Sequence, residues 1–213
     1  MARTIPFLDL KAAYLEAKPA IDAAYARVIN SGWYILGEEL EAFEREFAEF
    51  CGAEFCVGVG NGLEALVLTL MAKGVGAGDE VIVPSNTYIA SWLAVSQTGA
   101  RPVPVEPRLK TYNLDPELIE AAISPKTKTI MPVHLYGQKA EMEAIRDLAN
   151  RHGLFVLEDS AQMHLRGESP VKGVEAGAAA CFSFYPGKNL GAFGDAGAVV
   201  TDVRQLSRGD MLH

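Results

Sequence analysis

The sequence contains no apolar run near the roughly 20 residues of a membrane span and no cluster of basic side chains. We therefore expect neither a membrane protein nor a nucleic-acid partner. Acidic residues outnumber basic ones by 27 to 19, and the formal net charge is -8. The first residues, MARTIPFLDLKAAYLEAK, lack the apolar segment of a signal peptide, so a cytoplasmic location is expected.

Cysteine is scarce, since the chain has three, Cys51, Cys56 and Cys181. Their odd number and their positions in or beside apolar segments favour buried free thiols over a metal-binding or redox role. We expect no metal site.

Short apolar segments alternate with longer helical patterns along most of the chain. With 49% hydrophobic and 22% charged residues, the composition is that of a globular protein with one sizeable core. The helices are predicted at 7–31, 38–50, 63–73, 88–99, 115–123 and 139–153. The strands are predicted at 55–59, 81–84, 102–105, 127–133, 154–159, 179–184 and 197–201. This alternation is typical of an α/β fold with a largely parallel sheet.

Polar clusters follow four of the predicted strands. They are Gly60-Asn61-Gly62, the segment 85–88 that ends in Tyr88, the segment from Asp159 to Gln162, and Ser183 with Lys188. In open α/β sheets, ligands bind beyond the carboxyl ends of the strands. We therefore expect these clusters to converge on one site.

Each cluster has an ordinary structural interpretation when it is taken alone. A glycine-rich turn is common between a strand and a helix, Asp159 could cap a helix, Tyr88 could be packing, and Lys188 could be a surface charge. Together they match what pyridoxal 5′-phosphate (PLP) requires: a phosphate cradle, an aromatic plate, a buried acid and a lysine that forms a Schiff base.

Six segments of the chain resemble the sugar-nucleotide aminotransferases of the DegT/DnrJ/EryC1/StrS type. They are GWYILGEELEAFEREFAEFCG (32–52), GNGLEAL (60–66), GDEVIVPSNTYIAS (78–91), PVHLYGQ (132–138), LEDSAQ (157–162) and FSFYPGKNLG (182–191). The resemblance implies the large domain of fold-type-I PLP enzymes, which has three layers, α/β/α, around a mainly parallel mixed sheet.

The resemblance also implies a role for each candidate residue. Lys188 is the Schiff-base lysine, Asp159 pairs with the pyridinium nitrogen, Gln162 hydrogen-bonds the cofactor's 3′-oxygen, and Tyr88 stacks on its ring. The phosphate contacts fall on Gly60, Asn61, Gly62 and Ser183. The implied reaction is amination at C3 of a dTDP-3-keto-6-deoxyhexose, with glutamate as amino donor, in a homodimer.

Two departures from the family pattern affect these expectations. Met163-His164-Leu165 stands where the family has Ala-His-Gly, and the stretch 163–178 follows the pattern poorly, so a packing role is favoured for His164. The sequence also ends at 213, before the expected small C-terminal domain. We therefore expect an N-terminal helical segment (1–50) and an incomplete PLP-binding domain (51–213) that binds cofactor but transfers amino groups slowly.

An alternative from another class stays open. The chain could be a non-catalytic paralogue that binds PLP or a sugar nucleotide, or a dimerisation partner for a longer enzyme. Lys188 and Asp159 favour the enzyme, and the missing domain favours the alternative. A PLP-dependent sugar dehydratase is disfavoured, because histidine is expected there at the lysine position.

Overall fold

The computed structural model describes residues 6–164, 175 and 177–206. Two helices precede the first strand, and helices and strands then alternate as far as β5. The bounds of the helices are α1 Leu10–Ser31, α2 Glu38–Cys51, α3 Gly62–Ala72, α4 Ile89–Gln97, α5 Pro116–Ala122 and α6 Met142–His152. The strands are β1 Phe55–Val59, β2 Glu80–Pro84, β3 Arg101–Val105, β4 Thr127–Ile130, β5 Phe155–Asp159, β6 Ala178–Ser183 and β7 Gly197–Thr201.

All seven strands form one mixed sheet in the order β1-β7-β6-β5-β4-β2-β3. The pairs from β3 across to β6 are parallel, whereas β7 runs antiparallel to both of its neighbours, β1 and β6. The predicted fold class, a mainly parallel mixed sheet, is confirmed. The carboxyl ends of β2, β4, β5 and β6 therefore lie at the same edge.

The side chains of each strand alternate between two helical layers. In β2, Val81 and Val83 join a buried cluster with α3 and α4, while Ile82 joins a second cluster with α5 and α6. The central strands are buried on both faces and read as continuous apolar runs, as parallel strands covered by helices do. This alternation confirms the three-layer arrangement.

The two N-terminal helices differ in how they meet the sheet. Helix α2 packs against β6 and β7 through Phe47, which makes edge-to-face contacts with Phe182 at 5.0 Å and Phe184 at 5.2 Å between ring centroids. Helix α1 has no buried residue, although Asp9 caps its N-terminus by accepting the backbone N–H of Ala12. Among the helices that the structure describes, none is long and apolar enough to cross a bilayer.

The fourth strand is shorter than its sequence suggested. The apolar run predicted a strand over 127–133, but β4 ends at Ile130. Pro132 has no N–H to donate to a ladder, although its carbonyl accepts the backbone N–H of Asp159 at 2.9 Å. Beyond β4, the chain thus stays beside β5 through isolated backbone hydrogen bonds and not through a continuous ladder.

The three cysteines are buried free thiols, as predicted. Burial raises the pKa of all three, and that of Cys51 to about 12. Thiols held so far from ionisation are poor nucleophiles and metal ligands at neutral pH.

Candidate functional site

A cavity of about 490 Å³ opens at the carboxyl edge of the sheet. All of the predicted site residues except Gly60 line it, namely Asn61, Gly62, Tyr88, Asp159, Gln162, Ser183 and Lys188. They come from the ends of β1, β2, β5 and β6 and from the loop after β6. The volume lies within the range of small-molecule sites, about 300–1,000 Å³.

Asp159 ends β5 and is 6% exposed. One carboxylate oxygen, Oδ2, accepts the hydroxyl of Ser91 at 2.8 Å, and Oδ1 accepts the backbone N–H of Ala161 at 3.1 Å. Burial raises the pKa of Asp159, and these two hydrogen bonds partly offset that rise. Both donors are neutral. The charge of Lys188 also lowers the pKa, and a cation in direct contact with the carboxylate would stabilise its ionised form further.

Ser91 is a site residue that reading the sequence missed. It is fully buried on α4, and its hydroxyl also lies 3.0 Å from the hydroxyl of Thr87. Because Ser91 donates to Asp159, Thr87 must be the donor in that second contact. A hydroxyl in the first turn of a largely apolar helix, three positions after Tyr88, was the available signal.

Gln162 reaches the cavity from the turn after β5. Its Oε1 accepts the backbone N–H of Tyr136 at 2.7 Å. This contact assigns the orientation of the amide, since the oxygen is engaged with the backbone and Nε2 is left as a donor. A donor at this point suits an anionic or carbonyl oxygen on a ligand.

Helix α3 presents its N-terminus to the cavity beside Ser183. Asn61 is the N-cap, because its Oδ1 accepts the backbone N–H of Glu64 at 2.9 Å. The following amides, of Gly62 and Leu63, lie in the first turn, where backbone N–H groups have no partner within the helix. Gly60 is placed differently, since its N–H donates to the Glu64 carboxylate at 3.0 Å and it lines a neighbouring cavity.

Two glycines allow α3 to approach the sheet this closely. A Cβ on Gly62 would lie 2.8 Å from the Cβ of Ser183, and a Cβ on Gly197 would lie 2.5 Å from the backbone of Asn61. Neither contact can be relieved by a flexible side-chain end. The first turn of α3 therefore packs closely against both the end of β6 and the start of β7.

We expect Gly62→Ala to destabilise the chain by about 1–3 kcal/mol, because the added methyl group must push α3 away from Ser183. Chemical denaturation would measure the change. Gly76→Ala is the matched control, since a Cβ there would meet only the carbonyl oxygen of Thr98 at an ordinary 3.7 Å. Equal stability of the two variants would contradict the close packing described for Gly62.

Lys188 lies in the loop between β6 and β7. The loop is tied to itself by backbone hydrogen bonds, including Lys188 N–H to the Tyr185 carbonyl at 2.8 Å and Ala192 N–H to the Phe184 carbonyl at 2.7 Å. Lys188 also lines a second, larger cavity of about 920 Å³ beneath α1. Tyr88, by contrast, is 72% exposed at the mouth of the first cavity, where its ring face is available to a ligand.

His164 packs between aromatic rings rather than lining the cavity. Its ring centroid lies 5.5 Å from that of Phe182 and 5.6 Å from that of Phe184. Burial lowers its pKa, which favours the neutral ring. This supports the packing role that the sequence favoured. Most of the stretch 163–178, which departs from the family pattern, lies outside the described residues.

Comparison with family models matches residues 16–209 to the DegT/DnrJ/EryC1/StrS aminotransferase family. Among curated proteins, the chain is 58% identical over 207 residues to a dTDP-3-amino-3,4,6-trideoxy-alpha-D-glucose transaminase of Streptomyces venezuelae. That alignment covers 95% of this chain and 54% of the relative.

Solved structures give the same picture. The structure of S. venezuelae DesV in complex with a ketimine intermediate matches with a TM-score of 0.90 and 56% identity, over 96% of this chain and 55% of that one. NtdA from Bacillus subtilis with bound cofactor PMP matches with a TM-score of 0.86 and 34% identity, over 97% of this chain and 47% of that one. The chain thus spans about half the length of these relatives.

Proposed function

The chain belongs to the DegT/DnrJ/EryC1/StrS aminotransferase family, and from this we propose that it binds PLP and takes part in amino transfer to a nucleotide-linked keto sugar. The observation that carries the proposal is the buried carboxylate of Asp159, which faces the same cavity as Lys188 and has only neutral hydrogen-bond donors. A protonated ring nitrogen is the kind of partner that this carboxylate needs.

The remaining residues around the cavity fit the same cofactor. The first turn of α3, which contains Gly62, supplies backbone amides and the positive end of a helix dipole for a phosphate, with the Ser183 hydroxyl beside it. Gln162 offers its Nε2 donor to the 3′-oxygen, and Tyr88 offers a ring face. Gly60 would act through the shape of the turn, since its own N–H is engaged with Glu64.

When bound, PLP supplies a carbonyl carbon that amines can attach to and a ring that draws electrons from the adjacent carbon. Asp159 would keep a proton on the ring nitrogen and so preserve that electron demand. Lys188 Nζ would hold the carbonyl carbon covalently between turnovers. The Nζ atom of Lys188, when its amine is free, would also accept and return a proton.

For the substrate we propose a dTDP-linked 3-keto-6-deoxyhexose that is aminated at C3, with glutamate as the donor. The name of the S. venezuelae relative supports amination at C3 of a dTDP sugar that lacks the oxygen at C6; the sugar in that name also lacks the oxygen at C4. We assign cofactor binding to residues 51–213. The N-terminal segment 1–50 adds α2, which packs on the sheet.

Titration of the purified chain with PLP, followed by absorption spectroscopy, tests the proposal. We expect a saturable band from covalently bound cofactor, and addition of glutamate should convert that band to the one of the amine form, with release of 2-oxoglutarate. Adding the keto sugar nucleotide should then restore the first band. Absence of a saturable band would refute PLP binding. A band that does not respond to glutamate would favour the non-catalytic alternative.

We also propose that the chain forms a homodimer through its N-terminal segment. Four consecutive apolar side chains after α1 are exposed, and they are Trp33, Tyr34, Ile35 and Leu36. Contiguous exposed apolar surface of this kind is typical of protein–protein contacts.

Sedimentation at tens of micromolar with PLP should show a dimer, and Ile35→Asp should shift it toward monomer by about tenfold in dissociation constant or more, because the new charge would be desolvated in the interface. Leu118→Asp on α5, which also replaces an exposed leucine, should leave the assembly unchanged. A wild-type chain that stays monomeric, or equal effects of the two variants, would contradict the proposed interface.

A further inference from the structure

A histidine and a glutamate are buried together next to the cavity without lining it. His134, in the segment after β4, is 0% exposed, and Glu158, in β5, is 1% exposed. The Nε2 atom of His134 lies 2.8 Å from Oε2 of Glu158, and a terminal nitrogen of Arg146 lies 3.3 Å from Oε1. Buried polar pairs of this kind are costly unless every atom has a partner.

The hydrogen bonds of the His134 ring assign its proton. Nδ1 accepts the backbone N–H of Ala140 at 3.2 Å, so this nitrogen carries no proton. Nε2 must then hold the proton and donate it to Glu158. The ring therefore joins β5 to the far end of the loop 135–140, six positions along the chain from His134 itself.

The loop closed by this contact contains an unfavourable backbone conformation. Tyr136 has a φ of 57°, in the left-handed region that a tyrosine rarely adopts. Such conformations persist where the surroundings hold them in place. Besides His134, the buried Asn113 does so, since it accepts the N–H of Leu135 at 3.0 Å and donates to the Gln138 carbonyl at 2.9 Å.

The strained residue is the one that contacts the site. Tyr136 donates its N–H to Oε1 of Gln162 and so determines which end of the Gln162 amide faces the cavity. We propose that His134 is a positioning residue for cofactor binding. By holding Ala140, it keeps the Tyr136 N–H directed at Oε1 of Gln162, so that Nε2 of Gln162 remains free to donate to the ligand. The inference rests on the proposed role of Gln162 toward PLP.

A purely structural role for His134 would act through its other partner. Glu158 precedes Asp159 in β5, and successive side chains of a strand point to opposite faces of the sheet. On that account, His134 serves only to offset the free-energy cost of burying the Glu158 carboxylate, by donating a hydrogen bond to it. The two accounts assign importance to different ring nitrogens, Nδ1 for positioning and Nε2 for compensation.

Two isosteric variants separate the two nitrogens. In His134→Asn the side-chain oxygen can replace Nδ1 and keep the contact with Ala140, while the donor to Glu158 is lost. In His134→Gln the amide can replace Nε2 and keep the contact with Glu158, while the acceptor for Ala140 is lost. Gln162→Leu serves as the reference for a site that lacks the Nε2 donor of Gln162.

The first measurement is hydrogen exchange of the Tyr136 amide in the chain without PLP. We expect His134→Gln to speed this exchange by about tenfold or more, and His134→Asn to leave it close to wild type. Equal rates in the two variants, or the reverse order, would overturn the proposal.

The second measurement is the absorption spectrum with saturating PLP. We expect His134→Gln to shift the cofactor band in the direction that Gln162→Leu does, and His134→Asn to keep the wild-type spectrum. A wild-type spectrum in His134→Gln would overturn the link to Gln162. If the wild-type chain itself shows no PLP band, the proposed function fails, and the exchange measurement alone decides whether His134 positions Tyr136.

Further variants keep both measurements decisive if one of these chains does not fold. His134→Asn combined with Glu158→Gln removes the buried charge and should behave as His134→Asn does. Ala140→Pro removes the N–H donor and leaves the histidine intact, so it should reproduce His134→Gln. Wild-type exchange at Tyr136 in Ala140→Pro would contradict the proposed contact.

Discussion

Borohydride treatment of the chain after incubation with PLP is expected to leave the cofactor covalently attached to Lys188. Lys188 lines the cavity that also contains Asp159, Gln162 and Ser183, and the backbone of its loop is tied by the hydrogen bond to Tyr185. Peptide mapping by mass spectrometry would locate the label. Lys188→Ala should lose the label and reduce amino transfer by about 10²–10⁴-fold, the usual worth of a positioned proton-transfer group, or by more.

Lys128→Ala is the matched control for this result. Lys128 is an exposed lysine on β4 and does not line either cavity. Its replacement should change neither labelling nor transfer. Label at another lysine, or no label at saturating PLP, would contradict the assignment of Lys188.

Replacement of Asp159 by asparagine should abolish amino transfer while the fold is retained. The amide cannot keep the ring nitrogen of the cofactor protonated, so the electron demand that the reaction needs is lost. Steady-state assay with glutamate would measure the loss. Transfer within about threefold of wild type corresponds to roughly 0.65 kcal/mol of barrier, and that outcome would contradict the role proposed for Asp159.

The same variant should stabilise the chain when PLP is absent. Because burial raises the pKa of Asp159, the folded chain holds the proton of this carboxyl group more tightly than the unfolded chain does. The stability that this preference contributes is present below the unfolded pKa of about 3.9 and is lost as pH rises through the folded pKa. At pH 7, Asp159→Asn should therefore raise the free energy of unfolding.

Thermal unfolding with and without PLP checks this expectation. PLP should raise the melting temperature of the wild-type chain more than that of Asp159→Asn, because only the carboxylate gains a cationic partner. Asp147→Asn, at an exposed position on α6, should behave as the wild type does. Equal gains from PLP in wild type and Asp159→Asn would count against a pairing between the carboxylate and the cofactor.

The fold could be predicted from the sequence because its strands are short, apolar and bounded by breakers. Strand β1 lies where the pattern placed it, at Phe55–Val59, and β7 does so at Gly197–Thr201. The length of β4 was predicted wrongly, because an apolar run need not belong to a strand along its whole length. The apolar run after Ile130 continues to Val133, but there it serves the loop and a single bridge to Asp159.

The site was predictable as far as the rule for strand ends applies. That rule selected Lys188, Asp159 and Gln162, because each comes at or after the end of a predicted strand and the strand ends meet at one edge of the sheet. It could not select Ser91, which reaches Asp159 across 68 positions, because its importance depends on which helix packs against which strand. The contact of Tyr136 with Gln162 is invisible in the sequence for another reason, since a backbone N–H donates it.

The position of β7 between β1 and β6 governs how the chain must assemble during synthesis. Of the seven strands that the structure describes, the one that joins β1 to the rest of the sheet comes latest in the chain, and the backbone N–H of Glu54 donates to the Asp202 carboxylate 148 positions later. Until then, a nascent chain on the ribosome exposes the open edge of β6 and leaves β1 unpaired. Such long-range closure is slow, and open strand edges favour aggregation. Recombinant expression should therefore depend on chaperones and low temperature more than the stability of the finished sheet would suggest.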